Sequence, residues 1–297
     1  MNGQTINIFL GNHPYVAQET LRDMCMAFSG TLTALGHRVL LSADIQPPPA
    51  LNLFFEHFSP EFMPLLEPLL PHIRAGLICT EPFQGNPMSD PAYREMRIRN
   101  MIRIGSQCRF VWCLDPASLP SYRGAFAHGR VFPFAIGFIE SLVDLPARPD
   151  AEKVWDVCFT GSMTDYRQGV FAGLKAAGLR VVHGLFPHYL RQSVMSRSRL
   201  QLTLKQSETI SIPSQMRMSY CLANDLLIVS DLGGRSPETG AEAYVMALRP
   251  EGLVQWCQEF AAGRCDTATM RARIGEFKAN YRMDRLNAET VAASLAL

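Results

Sequence analysis

The segment ISIPSQMRMSYCLANDLLIVSD, residues 210–231, shows the pattern of a loop, a helix and a buried strand in that order. It begins with a serine- and proline-containing loop at 211–214. It continues as a short helical pattern over 215–223 and ends in an apolar strand at 226–229. A helix N-terminus exposes unpaired backbone N–H groups and a partial positive charge. This order of elements therefore suits a bound phosphate.

Four side chains of this segment are candidate ligands for a nucleotide. Ser211 and Ser214 could cap the helix or bind the ligand. Arg217, one turn into the helix, could add a charge-assisted contact. Tyr220 could stack on or hydrogen-bond with a nucleoside, although an aromatic residue on a helix face is more often part of the core.

The composition of the 297 residues favours a globular chain with room for one large or two medium domains. A net charge of +1 gives no general field for nucleic acid or a membrane surface, so we expect no nucleic-acid partner. No apolar run reaches the ~18–20 residues of a membrane span, and the start MNGQTINIFLG lacks a basic region, so we expect a cytoplasmic protein without a signal peptide. The eight cysteines show no C-x-x-C spacing, which favours buried reduced thiols over a metal or redox motif.

Strand and helix patterns alternate along the chain. We predict strands at 5–10, 38–42, 51–55, 76–80, 110–114, 131–136, 154–160, 180–183 and 200–204, and helices at 15–35, 60–74, 93–104, 165–177 and 187–197. The prolines within 60–74 suggest that this helix is kinked or broken. From residue 239 onward we predict helices alone. The stretch LPARPDAEK at 145–153 is rich in proline and charge, and we interpret it as a linker between domains at 1–146 and 154–297.

This alternation predicts an α/β protein with parallel sheets, which bind ligands at the carboxyl ends of their strands. In the first domain, that rule places His13, Glu81 and Asp115 at one edge. Each is a candidate general base, since His13 suits proton transfer at neutral pH and the two carboxylates follow buried strands. All three could instead have a structural role, in which they cap a turn or hydrogen-bond to a loop. The arginines at 94, 97, 99, 103 and 109 could bind an anionic partner, but a solvated basic helix face is the preferred interpretation.

The second domain opens with a strand and the turn Gly161–Ser162. Glycine would let the backbone approach a diphosphate while Ser162 donates a hydrogen bond, or the pair could be an ordinary strand-to-helix turn. Lys205 and Arg217 each lie where an element meets a loop. Two such cations could together bind a diphosphate. Arg167 is interpreted as a helix-surface or supporting residue.

The second half of the chain resembles the C-terminal domains of group-1, two-domain (GT-B) glycosyltransferases, in particular the spore-maturation type. Their R-x-x-E-A-L-A-x-G segment stands here as Arg217–Asp225, followed by LLIVSD, with Tyr220 in place of the usual acidic residue and Asp225 in place of the usual glycine. The opening WDVCFTGSMTDYRQG also matches. The resemblance covers Val154–Asp231, and for the first half it is architectural only.

The resemblance implies two Rossmann-like domains facing across a cleft and a final helix that returns to the first domain. It implies transfer of a sugar from a nucleotide-diphosphate sugar, without a metal or cofactor, to an unidentified glycan, protein or small molecule. The donor would lie on the turn at 161–162, Lys205 and the helix start at 211–217. Two alternatives stay open: a non-hydrolysing nucleotide-sugar epimerase, and a non-catalytic nucleotide-sugar-binding or partner protein derived from a glycosyltransferase.

Overall fold

The computed structural model describes residues 3–11, 21–85, 89–207, 214–231 and 240–297. The chain divides into two compact units, Met1–Ala135 with Met283–Leu297 (unit 1) and Ile136–Arg282 (unit 2). Each unit contains one parallel β-sheet, with helices in the connections between strands. The predicted α/β class with two parallel-sheet domains is confirmed.

Unit 1 is built on a six-stranded sheet in the order β2-β1-β3-β4-β5-β6. Its strands are β1 (Thr5–Phe9), β2 (Arg38–Ser42), β3 (Leu51–Phe55), β4 (Arg74–Cys79), β5 (Phe110–Cys113) and β6 (Val131–Pro133). Its first four helices are α1 (Arg22–Ala34), α2 (Met63–Leu66), α3 (Pro91–Gly105) and α4 (Leu119–Ala125). Both faces of a parallel sheet are covered, so its strands are apolar runs, and β3 is buried at all five positions.

Unit 2 is built on a five-stranded sheet in the order β11-β10-β9-β7-β8. Its strands are β7 (Trp155–Thr160), β8 (Val181–Gly184), β9 (Ser198–Thr203), β10 (Ile228–Ser230) and β11 (Met246–Ala247). Its helices are α5 (Asp165–Ala176), α6 (His188–Ser196), α7 (Gln215–Ala223), α8 (Pro250–Ala261) and α9 (Ala268–Asn280). The crossovers place the carboxyl ends of β7, β9 and β10 side by side. The residues predicted to bind the nucleotide sugar lie at these ends.

One predicted helix is wrong, and another is broken, as its prolines suggested. The stretch at 60–74 forms only α2 and a 3-10 turn, Leu70–His72, because Pro68 and Pro71 cannot supply helix N–H groups. The stretch at 239–247 forms a 3-10 turn and then β11, which pairs with β10 through Val229 and Met246. The side chains of this stretch fit a helical or a strand pattern, and pairing with the edge of β10 favours the strand.

The last helix, α10 (Met283–Leu295), belongs to unit 1 through specific polar contacts. The indole Nε1 of Trp112 donates to Ser294 Oγ at 2.9 Å. Asn287 accepts from the backbone N–H of Ala135 at 2.8 Å and donates to the carbonyl oxygen of the same residue at 2.9 Å. Buried polar groups require such partners, so α10 completes the core of unit 1.

The cysteines agree with the sequence-based expectation of buried thiols. All eight cysteines are free thiols, and seven of them are buried, as predicted. Among the described residues, no helix has both the length and the apolar character needed to cross a membrane.

Asp225, which stands where the resemblance expects glycine, follows α7 at φ = 57°. We expect Asp225→Ala to lower the unfolding free energy by about 1 kcal/mol more than Asp225→Asn, because alanine is disfavoured in the left-handed region whereas asparagine is tolerated there. Both variants remove the exposed ion pair with Lys278 Nζ (2.6 Å), so the comparison isolates the backbone effect. Urea unfolding measures the difference, and equal losses in the two variants would contradict this account.

Candidate functional site

The turn after β7 brings Gly161 against the guanidinium of Arg217. The backbone N–H of Gly161 donates to the carbonyl oxygen of Gly184 at 2.9 Å, which joins the ends of β7 and β8. A Cβ atom at position 161 would lie 2.8 Å from Arg217 Nη2 and 3.0 Å from Phe159 Cζ. Glycine therefore allows the guanidinium to lie close to the backbone of the turn.

Arg217, in the first turn of α7, is a half-buried cation with no counter-charge among the described residues. Its guanidinium carbon lies 4.9 Å from the centroid of the Phe159 ring. Among the described residues, it has neither a hydrogen-bond partner nor a carboxylate within ion-pair distance. Burial, together with the neighbouring charge of Arg167, lowers the pKa of Arg217 to about 10, so it stays protonated at neutral pH. A bound anion would compensate this partly desolvated charge.

Arg167 is buried and links two loops of the site, so of the two roles that the sequence left open the structure shows the supporting one and not the helix-surface one. Its buried guanidinium donates to the carbonyl oxygens of Ser162 (2.7 Å), Leu204 (2.7 Å) and Lys205 (3.0 Å). One planar cation thus links the turn after β7 to the end of β9. The backbones of Ser162 and Lys205 are fixed by the same side chain.

Asp231 fixes the other side of Lys205 and was not identified by sequence reasoning. Its Oδ1 accepts the backbone N–H of Lys205 at 2.9 Å, and its Oδ2 accepts the hydroxyl of Tyr166 at 2.6 Å. Burial raises the pKa of the Asp231 carboxyl. The Nζ of Lys205 lies 4.9 Å from the Tyr166 ring centroid. The sequence feature that could have identified Asp231 is its position directly after a buried strand, at the carboxyl edge of the sheet.

Three further residues were predicted from the sequence to bind the nucleotide, namely Ser211, Ser214 and Tyr220. Ser211 lies outside the described residues. Ser214 precedes α7 and makes no capping hydrogen bond through its side chain, so its hydroxyl is not used by the helix. Tyr220 is 2% exposed, and its hydroxyl donates to Asp144 Oδ1 at 2.5 Å beneath the guanidinium of Arg191. Its contacts are those of a packing residue, the alternative that the sequence left open.

In unit 1, Glu81 follows β4 and is held by a buried ion-pair network. Arg97 Nε lies 3.4 Å from Glu81 Oε2, and Arg97 Nη2 donates to Glu56 Oε1 at 3.1 Å. Glu56 Oε1 also accepts the backbone N–H groups of Thr80 (2.7 Å) and Glu81 (3.0 Å). Arg97 is 3% exposed, so the prediction of a solvated basic face is wrong at this position. Its helix buries it because Glu56, at φ = 48° after β3, supplies the counter-charge.

The other two residues predicted as candidate general bases are Asp115 and His13. Asp115 Oδ1 accepts the backbone N–H of Ala117 at 3.2 Å, and its Oδ2 accepts the hydroxyl of Ser118 at 2.5 Å. Its carboxylate therefore caps the turn that follows β5. His13 lies outside the described residues. The Glu81 side chain is 38% exposed, so it is held in place by Arg97 and still accessible.

The chain was compared with known proteins. No protein-family model matches it, and no curated protein sequence does. Solved structures do match: T4 phage β-glucosyltransferase with UDP-glucose (12% identity, TM-score 0.57, all of both chains) and Anabaena HepE with UDP and glucose (11%, 0.57, 99% of this chain and 100% of the other). S. aureus TarM matches at 9% identity and TM-score 0.56, over 82% of this chain and 54% of TarM.

These similarities show the fold, which is that of GT-B glycosyltransferases with two Rossmann-like domains. The chain spans about half the length of TarM, whereas it matches the phage and Anabaena enzymes over their whole length. The resemblance to the spore-maturation type stays a prediction. At identities of 9–12%, the roles of individual residues do not transfer from these structures to this chain.

We expect Arg167→Met to lower the unfolding free energy by about 2–4 kcal/mol, because three buried carbonyl oxygens lose their donor. The matched control is Lys175→Met, an exposed cation on the same helix, which should stay within about 0.5 kcal/mol of the wild type. Urea unfolding of both variants makes the comparison. If Arg167→Met costs no more than the control, the guanidinium does not hold the two loops.

Proposed function

We propose that the chain is a glycosyltransferase that moves a sugar from a nucleotide-diphosphate sugar to an acceptor hydroxyl. The observation that carries the proposal is Arg217, a half-buried cation that meets a glycine turn at the carboxyl edge of the unit 2 sheet and has no counter-charge among the described residues. The fold agrees with this activity, since its structural neighbours are glycosyltransferases solved with UDP or UDP-glucose.

In the proposal, the diphosphate of the donor lies between the turn at Gly161–Ser162, the Nζ of Lys205 and the guanidinium of Arg217. Because Gly161 has no Cβ, the guanidinium lies against the backbone of the turn, so a phosphate bound there could contact both. The N-terminus of α7 adds backbone N–H groups, and the hydroxyl of Ser214, which makes no capping hydrogen bond, adds a further donor. Arg167 and Asp231 do not contact the donor, but they hold the loops that do.

The reaction breaks the bond between the anomeric carbon of the sugar and the phosphate oxygen, and negative charge develops on the departing nucleotide. Lys205 and Arg217 would stabilise this charge, which makes a metal ion unnecessary in the proposed mechanism. The guanidinium can contact two phosphate oxygens at once, whereas the ammonium acts as a point charge. Both cations are in place before the bond breaks, so little reorganisation accompanies the reaction.

On the acceptor side, we assign the general base to Glu81. It follows β4 at the carboxyl edge of the unit 1 sheet, and Arg97 and Glu56 orient it. Glu81 would accept the proton of the acceptor hydroxyl as the oxygen forms its bond to the anomeric carbon. Asp115 is less suited, because both its oxygens cap the following turn. His13 stays a candidate from the sequence alone.

The donor site is tested by calorimetric titration and thermal unfolding with nucleotide diphosphates and nucleotide sugars, beginning with UDP and UDP-glucose. We expect one nucleotide to raise the Tm, with a gain of roughly 2.7 kcal/mol in unfolding free energy at 100 times its Kd. Lys205→Ala and Arg217→Ala should each weaken this nucleotide by tenfold or more, because each removes a charge-assisted contact.

The matched controls are Lys175→Ala and Arg197→Ala, which remove exposed cations from unit 2 and should leave nucleotide affinity unchanged. Retention of affinity in both Lys205→Ala and Arg217→Ala would refute the donor site. A protein that binds no nucleotide of the panel would refute the proposed function as a whole. EDTA is included in one arm, where we expect affinity to persist.

Turnover separates an enzyme from a binding protein that retains only the donor site. We expect slow hydrolysis of the bound nucleotide sugar by water, and we expect Glu81→Gln to lower kcat by 100-fold or more while the donor Kd stays the same, because a neutral amide accepts no proton. Asp115→Asn is the control and should retain kcat. Nucleotide binding without any turnover would favour the non-catalytic alternative, and equal rates for both variants would exclude Glu81 as the base.

A further inference from the structure

A partly enclosed cavity of about 240 Å³ lies in unit 1, between α10 and the starts of β1 and β2. Gln4 directly precedes β1 and His37 directly precedes β2, so the cavity lies at the amino edge of the sheet. Glu81 lies at the carboxyl edge of the same sheet, and the candidate donor residues belong to unit 2. The cavity is therefore separate from both, and its ligand does not depend on the proposed function.

Small side chains on one face of α10 leave this space. Ala288 and Ala292 are four residues apart, which places them on the same face of the helix, and both line the cavity. Leu35, Val291 and Leu295 add larger apolar side chains to its lining. No described residue with a charged side chain lines the cavity. A molecule bound here would therefore be uncharged and largely apolar, because a buried charge without a partner is costly.

The imidazole of His37 is a polar group in this lining, and the residue is only 9% exposed. Gly36 follows α1 at φ = 87°, and the turn that it makes brings His37 beside the start of β1. The backbone N–H of Gln4 donates to His37 Nδ1 at 3.3 Å, so Nδ1 carries no proton. Burial lowers the pKa of His37, so the ring is neutral at pH 7 and its proton lies on Nε2.

The Nε2–H group of His37 is a hydrogen-bond donor that the protein leaves unused. Among the described residues, Nε2 has no hydrogen-bond partner. The neighbouring amide of Gln4 is occupied, because its Nε2 donates to Leu295 O at 3.3 Å and its Oε1 accepts from Arg74 Nη2 at 3.2 Å. A largely buried N–H without an acceptor costs free energy, and an acceptor atom on a bound molecule would remove that cost.

We propose that this cavity binds a small neutral molecule that consists of an apolar body of about one ring and one carbonyl oxygen. The oxygen would accept a hydrogen bond from His37 Nε2, and the apolar body would pack against Ala288 and Ala292 of α10. The volume suits a molecule of this size, since an apolar cavity of about 150 Å³ engineered in another protein holds benzene. The bound molecule would contact α10 and the start of β2 together, and so would stabilise the packing of the last helix on unit 1.

The test compares two probes on the full chain, acetophenone and ethylbenzene. The two molecules have the same ring and a two-carbon side group, but ethylbenzene lacks the carbonyl oxygen. We expect acetophenone to raise the Tm saturably and to bind about fivefold more tightly than ethylbenzene in calorimetric titration, because only acetophenone accepts a hydrogen bond. In His37→Phe, which keeps a ring but has no donor, the two probes should bind with equal affinity.

Two neighbouring alanines of α10 locate the bound probe. Ala292→Leu fills the cavity and should weaken acetophenone by tenfold or more, while the unfolding free energy of the unliganded protein stays the same or rises. Ala293→Leu is the matched control, because Ala293 is exposed on the same helix, and it should keep the affinity of the wild type. Ala288→Leu repeats the test should Ala292→Leu fail to fold.

Three results would overturn the inference. If neither probe binds saturably, the cavity holds only water. If the cavity-filling variant and Ala293→Leu bind acetophenone equally well, the probe lies elsewhere on the protein. If the wild type binds the two probes equally, or if His37→Phe still prefers acetophenone, the Nε2–H group of His37 does not recognise the carbonyl oxygen.

Discussion

The Arg167 guanidinium is the interaction on which the candidate donor site depends. Three carbonyl oxygens from two loops share this one cation, and within the described part of the chain no backbone hydrogen bond joins those loops beyond the ends of β7 and β9. Because the donors of arginine are fixed in a plane, the loops can satisfy them in few relative positions. The position of the Gly161–Ser162 turn relative to Lys205 follows from that geometry, with Asp231 restraining the far side.

The two units use buried charge in contrasting ways. In unit 1, Arg97 lies between two carboxylates, so its burial is compensated and it can orient Glu81. In unit 2, Arg217 is left without such compensation among the described residues, and its pKa falls accordingly. An internally paired cation is a structural part of the protein, whereas an uncompensated one is ready to bind an anion.

The sequence predicted the parallel sheets and most strands, because buried strands are short apolar runs between turn residues. It also singled out Gly161, Lys205 and Arg217, which follow or begin regular elements. It missed Asp231 and the roles of Glu56 and Arg97, since these depend on partners 26 to 41 positions away that no local pattern reveals. Likewise, β11 depends on pairing with β10, and the burial of Tyr220 depends on Asp144.

The place of α10 in unit 1 bears on the order in which the protein folds during synthesis. All of unit 2 leaves the ribosome before residues 283–297, which unit 1 needs for its core. Until then, the indole of Trp112 lacks its hydroxyl partner and the backbone of Ala135 lacks the Asn287 amide. Although it begins first, unit 1 therefore finishes folding last, and its emerging sheet stays incompletely covered while unit 2 is being completed.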